Sequence, residues 1–92
     1  MRLEIKFTTQ FKRDVKLLSK QHKNLDLLFD TIEKLANMET LDSKYKDHNL
    51  SGDFYGCREC HIEPDFLLIY EIHNDIMALL LVRTGSHSNL FK

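Results

Sequence analysis

Four side chains stand out by type and placement: His48, His61, Asp65 and His87. An imidazole can give or take a proton near neutrality, and a neighbouring carboxylate favours its charged form, the combination that acid and base catalysis requires. Of the five histidines, only His22 lies near the helical segments. His48 falls in a polar stretch, His61 ends a strand-like run, His87 lies in a polar tail, and Asp65 follows Pro64. Adjacent antiparallel strands and a returning tail can bring such distant positions together. Taken singly, each histidine is more readily read as an ordinary solvated or hydrogen-bonded residue.

Cys57-Arg58-Glu59-Cys60-His61 offers a second chemistry, a zinc site. Against it, no second CxxC follows, and residues three apart on a strand point to opposite faces. Reduced, buried or half-buried thiols are the reading carried forward. Lys12, Lys16, Lys20 and Lys23 recur at helical spacing, so they should share one face opposite the apolar stripe, as a solvated surface or as a contact for RNA phosphates.

The elements that must position these groups are readable from periodicity. Leu3, Ile5 and Phe7 alternate with polar residues, which predicts a strand over 2–7. Thr8 or Thr9 can cap a helix carrying Phe11, Val15 and Leu18 and running to about Gln21. Asn24 can cap a second helix with Leu25, Leu28, Phe29, Ile32, Leu35 and Ala36 as its apolar stripe, and the short turn between them implies an antiparallel pair. From Glu39 to Gly52 the periodicity vanishes, predicting a loop. Three strands are predicted at about 54–62, 66–73 and 76–83, broken by Glu63-Pro64-Asp65 and His73-Asn74-Asp75. The tail from Thr84 is too polar for a strand. The order β-α-α-β-β-β implies an α+β fold: a mainly antiparallel sheet of about four strands with two helices on one face. Phe54, Tyr55, Leu67 to Tyr70 and Leu79 to Leu81 are read as sheet packing.

Ninety-two residues support one core, so a single domain over 1–92 is expected. With 42% hydrophobic and 29% charged residues, disordered and fibrous classes are excluded. No apolar run reaches the ~18 residues of a membrane span, and Met1-Arg2-Leu3-Glu4 opens no signal peptide, so a cytoplasmic protein with reduced cysteines and no membrane partner is expected. The net charge of −1 conceals an asymmetry: residues 1–23 hold seven basic against two acidic side chains, and the remainder six against twelve. The first quarter is therefore the electrostatic handle for any polyanion.

Three ordered blocks, Tyr45-Lys46-Asp47-His48-Asn49-Leu50-Ser51-Gly52, Gly56 to Tyr70 with its His61-Ile62-Glu63-Pro64-Asp65, and Arg83 to Phe91, resemble the YafQ branch of the RelE/ParE toxin superfamily. Together they span about half the chain, and the helical front agrees with the family's element order. The resemblance implies a RelE-like fold. It also implies the toxin of a type II toxin–antitoxin pair, a ribosome-dependent endonuclease that cuts mRNA in the ribosomal A site. Its partners would be a cognate antitoxin, the ribosome with its 16S rRNA, and mRNA, and no metal or other cofactor would be needed. On that resemblance His48, His61, Asp65 and His87 are catalytic, and Phe66 and Phe91 hold the RNA. Phe66 stands where the family usually has Trp, keeping a stacking face without the indole N–H. The chain's overall acidity is a further departure.

The implied chemistry is attack of a 2′-OH on the adjacent phosphate. His87 is expected as general acid, Asp65 or His48 as base, and His61 or Arg83 as stabiliser of phosphate charge. Lys12, Lys16 and Lys20 would add contacts to ribosomal RNA. Two rivals remain: a ParE-like toxin that poisons DNA gyrase by binding alone, and a small zinc module built on Cys57, Cys60 and His61.

Overall fold

The computed structural model describes residues 1–91. Its first strand, β1 (Glu4–Phe7), leads into helix α1 (Thr9–Lys20), which is capped as its sequence predicts. The Thr8 hydroxyl accepts from the Phe11 N–H at 2.9 Å and donates to the Val82 carbonyl at 2.7 Å, so one side chain caps the helix and ties it to a strand far along the chain. Phe11 and Leu18 are buried as expected. Between them lies buried Asp14, which the apolar pattern does not foretell. Helix α1 ends at Lys20 and His22 is left-handed at φ 60°, so Lys23 falls beyond the helix that carries Lys12, Lys16 and Lys20.

Helix α2 (Leu25–Ala36) starts at Asn24, whose side chain accepts from the Asp26 N–H at 3.1 Å. Leu28, Ile32, Leu35 and Ala36 are buried, whereas Phe29, placed in the same stripe, is 48% exposed. Its position at the edge of the 3.6-residue repeat leaves it beside Phe7 on an open groove.

The sheet has five strands, one more than expected: β1, then β2 (His48–Asn49), β3 (Arg58–Glu63), β4 (Phe66–His73) and β5 (Ala78–Gly85), in spatial order β1-β5-β4-β3-β2. The extra strand is a two-residue pairing inside the predicted loop, too short to leave a period-2 signature. β1 runs parallel to β5 and the other pairs are antiparallel. Strand β3 begins four residues later than predicted because Gly52–Phe54 forms a 3-10 turn and Gly56 takes φ +92°. The tail closes as a helical turn, α3 (His87–Leu90), whose cap Ser86 accepts from the Asn89 N–H at 3.3 Å.

Both helices pack on one face, forming a core with Leu3, Cys60, Phe66, Leu68, Tyr70 and Leu79. A smaller cluster on the other face holds Cys57, Leu67, Ile69 and Leu90, with Leu50, Phe54 and Val82 against it. Cys57 and Cys60 thus occupy separate clusters, and burial pushes their thiols up, to about 11 and about 12. Thiols facing apart on opposite faces of the sheet do not converge on one ion, which argues against the Cys57–Cys60–His61 alternative.

Candidate active site

Strand register selects the face that carries the chemistry. Residues opposite one another in an antiparallel pair share a face. Glu59 opposes Ile69, His61 opposes Leu67 and His48 opposes Glu59, so all three point to the face away from the helices. There the imidazoles form a row. Ring centroids are 6.4 Å apart for His48 and His61, and 5.8 Å for His61 and His87. Three segments separated in sequence therefore meet, as the spacing alone could only permit.

Each imidazole is held by a different partner. His48 Nδ1 donates to the Lys46 carbonyl at 2.6 Å, directed by a left-handed Lys46 at φ 50°. That bond places the proton on Nδ1 and leaves Nε2 as the acceptor nitrogen. The segment itself is anchored through Asp47, which accepts from the Tyr70 hydroxyl at 2.6 Å and from Arg58 Nε at 3.3 Å. Arg58 also donates to Asn49 at 2.7 Å. Burial first, then the hydrogen bond to Asp47, raises the Tyr70 phenol well above its ordinary value, so it serves as a fixed donor.

His87 is set by Asp65. The Asp65 Oδ1 accepts from both the backbone N–H and Nδ1 of His87. Those two bonds, the backbone one foremost, hold the carboxyl below its usual range. Asp65 is thus held as an anion that orients the ring.

Glu59 is the residue that the sequence reading did not select. Its carboxylate is buried, with Oε1 at 3.4 Å from His61 Nε2 and 3.6 Å from His48 Nε2. One oxygen of Glu59 and one nitrogen each of His61 and His87 lie within 4.8 Å of one another, a set able to hold a metal ion. The signal for Glu59 was present: it stands two residues before His61 on the same strand, hence on the same face.

Phe91 lies at the surface beside His87. It is 42% exposed, stands 6.0 Å from His87 and packs edge-on against Phe54 at 5.5 Å, a partner that no pattern announced. Phe66 does not. It is 1% exposed within the helix-side core, because the β3–β4 hairpin turns it inward, so the expected stacking on RNA is corrected to core packing. Arg83, the alternative to His61 for stabilising phosphate charge, donates through Nε and Nη2 to Asp14 at 2.7 and 3.1 Å. Asp14 accepts in addition from the Thr84 N–H at 3.1 Å, so this ion pair joins α1 to β5. Lys12, Lys16 and Lys20 are exposed on α1, and Lys12 Nζ lies 5.5 Å from the Phe7 ring centre.

Known proteins resemble this arrangement along its whole length. The family model described as the bacterial toxin of type II toxin–antitoxin systems, YafQ, matches residues 3–92. The mRNA interferase toxin YafQ of Escherichia coli (strain K12) is 39% identical, with 96% of this chain and 95% of that protein covered. The toxin in the E. coli DinJ–YafQ toxin–antitoxin complex superimposes with a TM-score of 0.89 at 38% identity, covering 100% of both chains. A metal-bound toxin from Helicobacter pylori gives a TM-score of 0.90 at 45% identity, over 97% of this chain and 99% of that one.

Proposed function

The chain belongs to the YafQ family of type II toxins, and on that premise we propose that it cuts mRNA with the row of His48, His61 and His87, by proton transfer and without a metal. The observation that carries the reading is the convergence of those imidazoles around the Glu59 carboxylate, with ring centroids 5.8 and 6.4 Å apart. Separate acid and base nitrogens across a shared gap suit a reaction in which one oxygen loses a proton while another gains one.

His48 Nε2 takes the proton of the 2′-OH, and the freed oxygen attacks the adjacent phosphorus. The phosphorus–O5′ bond breaks as His87, doubly protonated with its Nδ1–H held by Asp65, delivers the Nε2 proton to the leaving oxygen. The products are a 2′,3′-cyclic phosphate and a 5′-OH end. His61 lies between them and stabilises charge on the phosphate oxygens, with Glu59 as the counter-charge when His61 carries its proton. Asp65 orients His87 and stays ionised throughout. Phe91, backed by Phe54, supplies the exposed stacking surface beside His87, worth roughly 1–3 kcal/mol per stacked base.

The ribosome is the natural substrate platform for so small a site, since most of the rate gain of spaced polar groups comes from holding the RNA in line. The exposed lysines Lys12, Lys16 and Lys20 supply a basic face for rRNA. A cognate antitoxin is the expected protein partner, as in the DinJ–YafQ complex. A metal held by Glu59, His61 and His87, as suits imidazole and carboxylate donors, would tie up the proton donor His87 and the phosphate-facing His61 and so inhibit rather than activate.

Induced expression of the chain and of His87→Ala, with mapping of mRNA ends, tests this reading. Growth arrest with cuts in translated mRNA, absent in the variant, supports it. Arrest without cleavage, together with loss of gyrase supercoiling, would select the ParE-like alternative.

A further inference from the structure

We propose that the cavity beside His61 is a nucleotide subsite, which seats an RNA base next to the cleaved phosphate and selects for an exocyclic amino group. The proposal rests on the nuclease reading, which assigns His61 to the scissile phosphate. The cavity measures ≈ 330 Å³, inside the range of small-ligand sites. It is separate from the Phe54–Phe91 pair, neither member of which lines it, so the molecule has two distinct places for bases.

The lining matches a nucleotide part by part. Leu27, Ile62 and Pro64 provide apolar surface for a base. Lys44 and Lys46 add two ammonium groups for the attached phosphate. Tyr45 is held in the wall between two cations, Lys34 Nζ at 5.4 Å and Lys44 Nζ at 5.5 Å from its ring centre, and its hydroxyl accepts from Lys34 Nζ at 3.2 Å. Because β2 pairs only with Arg58 and Glu59, the outer edge of β3 along Ile62 has no strand partner among the described residues.

Glu63 sets the specificity. It lines the same cavity, and its carboxylate can only accept hydrogen bonds when ionised, so it favours the amino groups of adenine, cytosine or guanine over uracil, whose single N–H is flanked by two carbonyls that repel it. Lys46 couples the subsite to the chemistry, because its carbonyl receives the His48 Nδ1 proton. A nucleotide gripped by Lys46 would therefore steady the base that starts the reaction.

Nuclear magnetic resonance titration of the isotope-labelled protein with each nucleoside 3′-monophosphate, and with inorganic phosphate alone, tests the subsite without requiring cleavage. The expected result is movement of the Lys44–Lys46 and His61–Glu63 amides, stronger with the amino-bearing nucleotides than with uridine and weaker with phosphate. Leu27→Trp, which fills the cavity from an exposed helix position, should weaken that binding about tenfold. In cleavage mapping, Glu63→Gln should admit uridine next to the cut. Equal responses to phosphate alone, or nucleotide binding unchanged in Leu27→Trp, would overturn the subsite. Wild-type cleavage with silent amides refutes the subsite and keeps the nuclease; nucleotide binding at these amides without any RNA cleavage does the reverse.

Discussion

Asp65 Oδ1 accepts two hydrogen bonds from a single residue, one from the His87 backbone N–H and one from its Nδ1, each at 3.0 Å. The ring is thereby fixed in orientation, and one of its nitrogens lies within 4.8 Å of a nitrogen of His61 and an oxygen of Glu59. An exposed carboxylate becomes useful here through geometry, since screening by water leaves it little to offer the fold in energy.

His87→Ala should therefore remove the proton donor and lower cleavage by roughly 10²- to 10⁴-fold. Asp65→Asn should lower it less, by about tenfold, because the amide can still accept through its oxygen but no longer supplies charge. Single-turnover cleavage on programmed ribosomes measures both, and equal, negligible losses would contradict the assignment.

The same pair carries a pH dependence with a definite sign. Folding lowers the Asp65 carboxyl, through the His87 backbone bond first, so its contribution is present above the ordinary carboxylate pKa and is lost as pH falls through the lowered value. Below the ordinary carboxylate range, around pH 3–4, the tail helix α3 should loosen from the β3–β4 turn. Amide exchange at His87 and Ser88 followed from neutral to acid pH reports this, and Asp65→Asn should flatten the profile.

Glu59→Gln keeps the size of the buried side chain and removes its charge. Cleavage should fall by about 10- to 100-fold, the order found when an outer partner of a functional imidazole is lost. The fold should survive, since the amide still reaches both imidazoles; a normal melt with weakened cleavage is the outcome expected. Copper or zinc ions should inhibit the wild-type protein reversibly and bind Glu59→Gln more weakly, whereas activation by either ion would overturn the metal-independent mechanism.

Asp14→Ala should be strongly destabilising. Asp14 is 6% exposed, and its removal strands the Arg83 guanidinium and the Thr84 N–H together. The cost should be about 3 kcal/mol, the lower end for breaking a buried pair because Arg83 keeps some access to water. Urea unfolding measures it.

Asp47→Ala tests the anchor of the His48 segment. It leaves the buried Tyr70 hydroxyl without its acceptor and leaves Arg58 with Asn49 alone, at about 1–3 kcal/mol. Cleavage should fall further than the stability loss explains, because Lys46 and His48 are the neighbours released. Tyr70→Phe should cost only ~1 kcal/mol, since Arg58 still holds Asp47.

Much of the frame was legible because it rests on local rules. The caps at Thr8 and Asn24, the buried stripes of α1 and α2, and β4 at 66–73 follow from short-range periodicity and hydrogen-bonding type. The errors have local causes as well. β2 is two residues long, and β3 starts late because two turns precede it, a feature that aromatic Phe54 and Tyr55 disguise as strand. Phe66 was misplaced because a resemblance conveys residue identity and not the direction in which a hairpin turns a side chain.

The chain by itself determined which groups can exchange protons and, through ordered blocks of residues, the family that uses them. Only the tertiary structure decided that His48, His61 and His87 share a face, since this depends on strand register and on a tail that folds back, both long-range pairings with no local signature. It also placed Glu59 at their centre, gave Arg83 to Asp14 and moved Phe66 into the core. Side-chain type is written residue by residue, whereas proximity is set when distant segments exchange water for one another.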